Sequence, residues 1–174
     1  MSPIDPRELF LRIYPDPILK KKSKPFQLPL PANIRAIGAR MAEIMQDEGG
    51  IGLAGPQAGL SQRIIVYDLS EEREAPQVLI NPEIIESHGT MESDEGCLSF
   101  PEIRGVLARA ARVVVRGLDL AGQEQRIEAE ELLCAMFQHE IDHLDGITFV
   151  DRLPPVERMR IKEELEELAR VTRG

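Results

Sequence analysis

Cysteine is scarce in this sequence, and long apolar runs are missing from it. Its 174 residues include two cysteines, Cys97 and Cys134, which are too few for a disulfide framework. That scarcity suits a reducing compartment such as the cytosol. No apolar stretch approaches the length of a membrane span, and the first residues lack the basic and then apolar run of a signal peptide. We therefore expect a cytoplasmic protein with no membrane association.

Positive charge is also in short supply. The chain has 21 Lys and Arg against 30 Asp and Glu, a net charge of −9. This balance argues against general nucleic-acid binding, so no direct contact with DNA is expected. With 43% hydrophobic and 29% charged residues, the composition is that of a soluble globular protein. The length suits one domain, residues 1–174, with a real core.

Two of the three histidines fall in one short motif, Gln-His-Glu-Ile-Asp-His at residues 138–143. On an α-helix, His139 and His143 lie on the same face, where both imidazoles can hold one metal ion. Glu140 is then within reach of a water on that metal and can act as a general base. The apolar flanks of the motif favour a buried helix. They argue against the alternative of a solvated helix whose histidines have no special role.

A catalytic metal site usually needs a third protein ligand and an open position for water. Upstream, Cys97 lies in an apolar island within a polar segment; downstream, Glu163, Glu164 and Glu167 lie where a thermolysin-like zinc protease would place its glutamate. Taken alone, Cys97 could equally be a small buried hydrophobe, and the glutamates could be the solvated face of a helix. The residues by themselves leave both ligand sets open.

Hydrophobic periodicity predicts helices and strands along the chain. The predicted helices cover residues 33–47, 130–144 and 156–171. The predicted strands cover residues 63–69, 78–85, 112–120 and 125–129. Together they indicate an α+β fold, with mostly antiparallel β-sheets packed around the central metal-binding helix and further helices near the N- and C-termini.

Other segments are predicted to be irregular. Residues 1–31 carry seven prolines, which forbid a long helix. Residues 50–59 form a glycine-rich loop; a phosphate-binding role is disfavoured because no Gly-Lys-Ser/Thr follows, and a purely structural turn stays open. Residues 87–105 are polar and turn-rich. Pro82 interrupts a strand, which suits an edge strand or a bulge.

Three segments, taken in order, resemble the motifs of the peptide deformylases. Gly-Ile-Gly-Leu-Ala-Gly-Pro-Gln at residues 50–57 is similar to the first motif of that family, Gly-x-Gly-x-Ala-Ala-x-Gln. Glu-Gly-Cys-Leu-Ser at residues 95–99 matches the second motif, and residues 138–143 match the third. The likeness extends to residues 14–19 and 142–153, so it covers nearly the whole chain.

The resemblance implies a metal-dependent hydrolase that removes the formyl group from the N-terminal methionine of newly made proteins. It implies that Cys97, His139 and His143 are the ligands, usually of Fe²⁺, with Zn²⁺, Ni²⁺ or Co²⁺ as other occupants. A metal-bound hydroxide would attack the formyl carbon.

The resemblance also implies roles for residues around the metal. Glu140 would take the proton from water and pass it to the leaving amine. The oxyanion would be held by the side-chain amide of Gln57 and the backbone N–H of Leu98. The glycine loop, including Gly52, would let the substrate peptide pair alongside as an added strand. Further substrate contacts are expected from the methionine pocket, Ile51, Leu132, Ala135, Met136 and His139, and from Arg104 at the peptide main chain.

One position departs from the family pattern, and two other function classes compete. Gly55 stands where the first motif normally has a second alanine, so Gly55→Ala is expected to be neutral or mildly stabilising, provided that residue 55 has a negative φ. The competing functions are a zinc protease with a downstream glutamate ligand and a non-enzymatic protein that docks through its charged last helix. Some deformylases contact the ribosome through that helix; the mixed charges here predict at most a transient contact.

Overall fold

The structure is a computed structural model, and it describes residues 3–174. Up to Pro31, the described part of the N-terminal segment is irregular apart from two short 3-10 turns, Pro6–Glu8 and Pro17–Lys20. Each turn begins with a proline and is capped by the aspartate before it, whose side chain accepts a backbone N–H. The prolines therefore start turns here and prevent a long helix, as predicted.

Five helices and seven strands follow, and their order confirms the predicted α+β class. The helices are α1 Ile34–Asp47, α2 Glu131–Leu144, α3 Phe149–Arg152, α4 Pro155–Arg160 and α5 Lys162–Arg173. The strands are β1 Gly52–Ala54, β2 Ile64–Tyr67, β3 Gln77–His88, β4 Met91–Cys97, β5 Phe100–Arg109, β6 Arg112–Leu118 and β7 Glu124–Glu130. One antiparallel sheet has the order β1-β2-β3-β6-β7, and β4 pairs with β5 as a separate hairpin. No helix of the described part is both long and apolar enough to cross a membrane.

The five-stranded sheet separates α1 from α2, and strand β2 shows how. Successive side chains of a strand point to opposite faces, so Ile64 and Val66 pack in the cluster that contains α1, while Ile65 packs in the cluster that contains α2. All three are fully buried, and each such burial stabilises the fold by roughly 1.5–3 kcal/mol. Helix α2 is thereby held on one face of the sheet, with Phe137 and Leu144 in the core beneath it.

The polar stretch 87–105 is not a turn-rich loop, and that prediction is wrong. It contains the end of β3, all of β4 and half of β5, and residues 98–99 make the turn between β4 and β5. The buried positions of β4 include Ser93 and Glu95, so the strand lacks the apolar alternation by which strands are recognised. Its pairing with β5 and the partners of its buried polar groups determine this strand instead.

Two further boundaries differ from the prediction. The glycine-rich loop contains strand β1 and a 3-10 turn, Gly55–Ala58, because Leu53 and Ala54 are fully buried and β1 pairs with β2. The predicted last helix is divided into α4 and α5 at Ile161, a fully buried residue whose ψ of 2° interrupts the helix. Its side chain lies in the cluster beneath β5, so the division lets the two helices follow the surface of the hairpin.

Pro82 marks a bulge, the second of the two alternatives that the sequence leaves. Strand β3 lies inside the sheet, between β2 and β6, so it is not an edge strand. Its register with β6 shifts between Ile80 and Glu83. Asn81 precedes the proline at a φ of 51°, and its side chain exchanges two hydrogen bonds with the backbone of Phe26. The missing N–H of Pro82 therefore falls where the ladder is already irregular.

Gly55 is required by a close approach of backbone, so the expectation for Gly55→Ala is wrong. A Cβ at this position would lie 2.4 Å from the carbonyl oxygen of Gln62 and 2.8 Å from that of Leu60. Because backbone must shift to make room, we expect Gly55→Ala to lower the free energy of unfolding by about 1–3 kcal/mol. Urea unfolding of the metal-free protein measures this. A variant as stable as the parent would show that residues 60–62 move aside at no cost.

The outer edge of β5 is covered by side chains of α4. Val106 N–H donates to Glu157 Oε2 at 2.9 Å, and a guanidinium N–H of Arg160 donates to Arg104 O at 2.7 Å. Glu157 and Arg160 also pair with each other at 3.0 Å. Two backbone groups on the side of β5 that faces away from β4 are therefore satisfied by side chains of a helix.

Candidate metal centre and active-site groove

Three elements bring the sequence motifs together. Helix α2 supplies His139, Glu140 and His143; the end of β4 supplies Cys97; and the turn after β1 supplies Gln57. One side-chain ligand atom from each of Cys97, His139 and His143 lies within 4.8 Å of the other two. Cys97 Sγ is 3.3 Å from Nε2 of His143. The predicted ligand set therefore converges in space.

The chemistry of this set fits a divalent transition metal. One sulfur and two imidazoles make three protein ligands, which leaves a fourth position for water. The Nδ1 of His139 lies 2.8 Å from Glu95 Oε1, so this nitrogen carries the proton for the carboxylate and leaves Nε2 free to bind a metal. Burial lowers the pKa of His143 well below its usual value, which keeps the imidazole neutral, as a ligand must be.

The second imidazole is more basic in the metal-free protein. Burial disfavours the charged form of His139, yet the hydrogen bonds that the imidazole donates to Cys97 and Glu95 raise its pKa well above the usual value. A metal ion that binds to His139 must therefore displace a proton from its imidazole. Metal binding consequently weakens as the pH falls.

A buried ionic network surrounds the imidazole of His139. Two nitrogens of Arg109 donate to the carboxylate of Glu95 at 2.8 and 2.7 Å, and its third donates to Asp142 Oδ2 at 2.7 Å. Burial alone would raise the pKa of Glu95, but the hydrogen bonds from Arg109 and His139 lower it to about 2. Glu95 is therefore ionised at neutral pH and orients the proton of His139.

Gln57 is buried and held in one orientation. Its Oε1 accepts the N–H of Ala54 at 2.9 Å, which assigns the donor Nε2 to the other side of the amide. That Nε2 lies 3.3 Å from Cys97 Sγ and 3.4 Å from Ser99 Oγ. The structure thus places a fixed hydrogen-bond donor beside a candidate metal ligand.

Glu140 is buried beside the same centre. It is 4% exposed, and its Oε2 has no hydrogen-bond partner among the residues described. Burial raises its pKa to about 7. A Cβ on Gly52 would lie 2.9 Å from Glu140 Oε1, so glycine in β1 makes room for this carboxyl group. A carboxyl that titrates near neutral pH is suited both to accept and to return a proton.

A groove of about 380 Å³ leads to this centre. The predicted substrate residues all line it: Ile51, Gly52, Arg104, Leu132, Ala135 and Met136. Leu98, Gln57, Glu140, His139 and Cys97 line it as well, whereas His143 lies behind them, fully buried. Arg104 is exposed at the mouth and donates to the carboxylate of Asp94 at 3.3 Å. Every predicted site residue therefore belongs to one connected site.

The downstream glutamates do not join this site. Glu163, Glu164 and Glu167 are exposed on α5, and Glu167 pairs with Arg170. The group of metal-ligating side chains found among residues 3–174 contains Cys97 in their place.

Sequence reasoning missed the network around His139. Arg109 is not among the predicted site residues. It lies an even number of positions after the buried Ile103 and Leu107 on β5, so its side chain belongs to the same buried face. A charged residue on the buried face of a strand requires a partner, but the sequence does not predict β5 as a strand, so this signal is readable only in the structure. Ser99, next to Gln57, belongs to the second motif and could have been named from it.

Comparison with known proteins gives a consistent result. The family model described as polypeptide deformylase matches residues 10–159. A peptide deformylase of Nitrosococcus oceani is 42% identical over 159 residues, which are 91% of this chain and 95% of that protein. A peptide deformylase from Legionella pneumophila superposes with a TM-score of 0.85 at 38% identity, covering 93% of this chain and 95% of that one. A plant peptide deformylase gives a TM-score of 0.88 at 34% identity, with 97% and 92% covered.

Proposed function

We propose, because this chain belongs to the polypeptide deformylase family, that Cys97, His139 and His143 hold the metal ion with which it removes the formyl group from nascent peptides. Deformylation of nascent peptides is the activity of the family, and the chain is a hydrolase of that kind. The observation that carries the ligand assignment is the convergence of one thiol and two imidazoles at the end of a substrate-sized groove.

The residues around the centre divide the chemistry between them. A metal ion, when bound, supplies Lewis acidity that lowers the pKa of a coordinated water. Glu140 accepts the proton of the attacking water and delivers it to the leaving amine. Gln57 Nε2 and the backbone N–H of Leu98 donate hydrogen bonds to the oxyanion that forms from the formyl oxygen. The support for these roles is that all three residues line the same groove.

The substrate peptide is proposed to lie along β1. This strand is at the edge of its sheet and pairs, within the described residues, with β2 alone, so an extended peptide can pair with its open side. The methionine side chain would enter the apolar part of the groove formed by Ile51, Leu132, Ala135, Met136 and His139. Arg104, at the mouth, would bind the peptide main chain.

We propose Fe²⁺ as the native metal. A thiolate with two imidazoles also suits Zn²⁺, Ni²⁺ and Co²⁺, so the donor set alone does not select among them. The family resemblance favours iron. Metal analysis of protein purified without oxygen tests this, and zinc at full occupancy in such a preparation would contradict it.

The activity is tested with a short peptide that begins with formyl-methionine. The metal-loaded protein should release formate and leave the internal peptide bonds intact. The same peptide with an acetyl group in place of formyl serves as a control for a general amidase. Cleavage of internal bonds without release of formate would contradict the proposed function.

Gln57→Ala should lower kcat about 10²-fold and change KM much less, because the hydrogen bond from Gln57 Nε2 strengthens only as the oxyanion forms. Steady-state kinetics on the formylated peptide separate the two constants. Gln46→Ala is the matched control, since Gln46 is exposed on α1 and donates to Arg73 O. A rise in KM alone would instead assign Gln57 to ground-state substrate binding.

We further propose that the whole chain, residues 1–174, forms one domain that acts in protein biosynthesis in the cytoplasm. A transient ribosome contact would use the basic residues of α4 and α5. Several of these are already paired within the helices: Arg160 with Glu157 at 3.0 Å and Lys162 with Glu166 at 4.0 Å. The proposed contact is therefore weak and lost at moderate salt, which co-sedimentation with ribosomes at two ionic strengths measures.

A further inference from the structure

The ionic network around His139 continues beyond Arg109 to the surface. Asp142 accepts from Arg109 at 2.7 Å and also accepts two hydrogen bonds from Arg152, at 2.5 and 2.8 Å. Arg152 ends α3, and its side chain is 45% exposed, whereas those of Asp142 and Arg109 are 11% and 3% exposed. An unbroken series of hydrogen bonds thus runs from a surface arginine to a candidate metal ligand.

The charges of this network balance in pairs. Two buried carboxylates, those of Glu95 and Asp142, face two guanidinium groups, those of Arg109 and Arg152. If a neutral residue replaced Arg152, both carboxylates would share the one positive charge of Arg109. The guanidinium would then be drawn toward Asp142 and away from Glu95, because an unpaired buried carboxylate is costly. Glu95 would hold the imidazole of His139 less firmly.

A second contact joins α3 to the same imidazole. The ring of Phe149, three residues before Arg152, stacks on His139 with centroids 6.0 Å apart and an interplanar angle of 19°. Helix α3 is itself fixed, since Asp151 accepts from the Thr148 N–H at 2.8 Å and pairs with Lys20 at 2.6 Å. One short, anchored helix therefore contacts the ligand directly and, through Asp142, indirectly.

We propose that Arg152 is a positioning residue for His139, acting through Asp142, Arg109 and Glu95. The inference rests on the proposed metal centre. Arg152 neither lines the groove nor belongs to the proposed ligand set. It keeps Arg109 aligned with Glu95 and thereby keeps the imidazole aimed at the metal. Its loss should speed metal release about tenfold, the lower end of the effects seen when the partners of metal ligands are altered.

The test follows cobalt release, which does not depend on deformylation. The Co²⁺-loaded protein is mixed with excess EDTA, and the loss of the visible cobalt–thiolate absorption is timed. Arg152→Met, which removes the charge but keeps an apolar stem, should release cobalt about tenfold faster than the parent. Arg152→Lys, which keeps the charge but loses the two-pronged geometry, should fall between the two. Arg170→Met is the control, because Arg170 is exposed on α5 and pairs with Glu167.

A double-mutant cycle shows whether Arg152 acts through Asp142. In an Asp142→Asn background, Arg152→Met should change cobalt release by less than twofold, since the link is already broken. A full tenfold effect in that background would overturn the proposed path. The proposal would also be overturned if Arg152→Met released cobalt at a rate within twofold of the parent. A lower Tm of its metal-free form would not rescue the proposal, because it would show a role in stability alone. If Arg152→Met does not fold, the cobalt release rates of Arg152→Lys and Asp142→Asn decide instead. Rates within twofold of the parent for both variants would overturn the proposal.

Formate release by the parent protein is measured separately. A parent that releases no formate refutes the proposed function, while the cobalt result still decides the role of Arg152.

Discussion

Glu140→Gln should retain its metal and deformylate about 10²- to 10⁴-fold more slowly than the parent. Glutamine has nearly the same shape as glutamate but cannot accept a proton from water. The proposed ligands Cys97, His139 and His143 are unchanged, so metal binding should persist. Two features suit Glu140 to accept a proton and then return it. Its Oε2 has no hydrogen-bond partner among residues 3–174, and burial raises its pKa to about 7.

The measurement combines kcat/KM on a formylated methionine peptide with metal content per chain. Glu128→Gln is the control, since Glu128 lies on the exposed face of β7 and pairs with Arg112 and Arg126. Activity within a few-fold of the parent at full metal content would remove Glu140 from the role of base. Loss of metal together with activity would show instead that Glu140 helps to hold the centre together.

Cys97→Ala should lose most of its metal, and Cys134→Ala should keep it. The thiolate is a strong ligand for transition metals, and without it only two imidazoles remain at the centre. Cys134 also lies on α2, but it packs in the cluster between α2 and the five-stranded sheet. Its Sγ donates to Ala110 O, in the link between β5 and β6, at 3.2 Å. Burial raises the pKa of the Cys134 thiol, which further disfavours a thiolate there.

Metal per chain, measured on variants purified without oxygen, separates the two cysteines. Glu163→Gln, Glu164→Gln and Glu167→Gln extend the comparison, because a downstream-glutamate protease would lose its metal in one of these variants. Circular dichroism establishes that each variant is folded before its metal is counted. Full occupancy in Cys97→Ala would refute the assigned ligand set, and loss of metal in one of the glutamine variants would favour the protease arrangement.

The central helices could be predicted closely from sequence because their signal is local. The predicted ranges 33–47 and 130–144 differ from α1 and α2 by one residue at their starts and agree at their ends. Apolar residues repeat there at helical spacing, and that spacing alone defines a face. The hairpin β4–β5 could not be found in this way. Its buried Glu95 is explained by partners far along the chain, Arg109 at 14 residues and His139 at 44 residues.

The site residues also fall into two groups, those with a local sequence signal and those without one. The motif residues could be named because their types and spacing carry the chemistry within a few positions. The network behind them depends on which residue of β5 faces which turn of α2, and no spacing within the chain encodes that. Gly55 gives the opposite lesson. The family pattern suggested that alanine would fit, but the path of residues 60–62 in this chain leaves no room for a Cβ.

The covering of β5 by α4 bears on how this molecule meets unfolded chains. An enzyme that acts on nascent polypeptides works among many extended, unpaired segments, and any free strand edge can recruit them. In the proposed binding mode the substrate pairs with such an edge on β1, whereas an open edge on the hairpin that carries Cys97 would bind other chains away from the groove. Glu157 and Arg160 occupy the backbone groups of Val106 and Arg104 there. The hairpin therefore cannot pair with other chains at these two positions, while β1 keeps the open edge that the proposed binding mode requires.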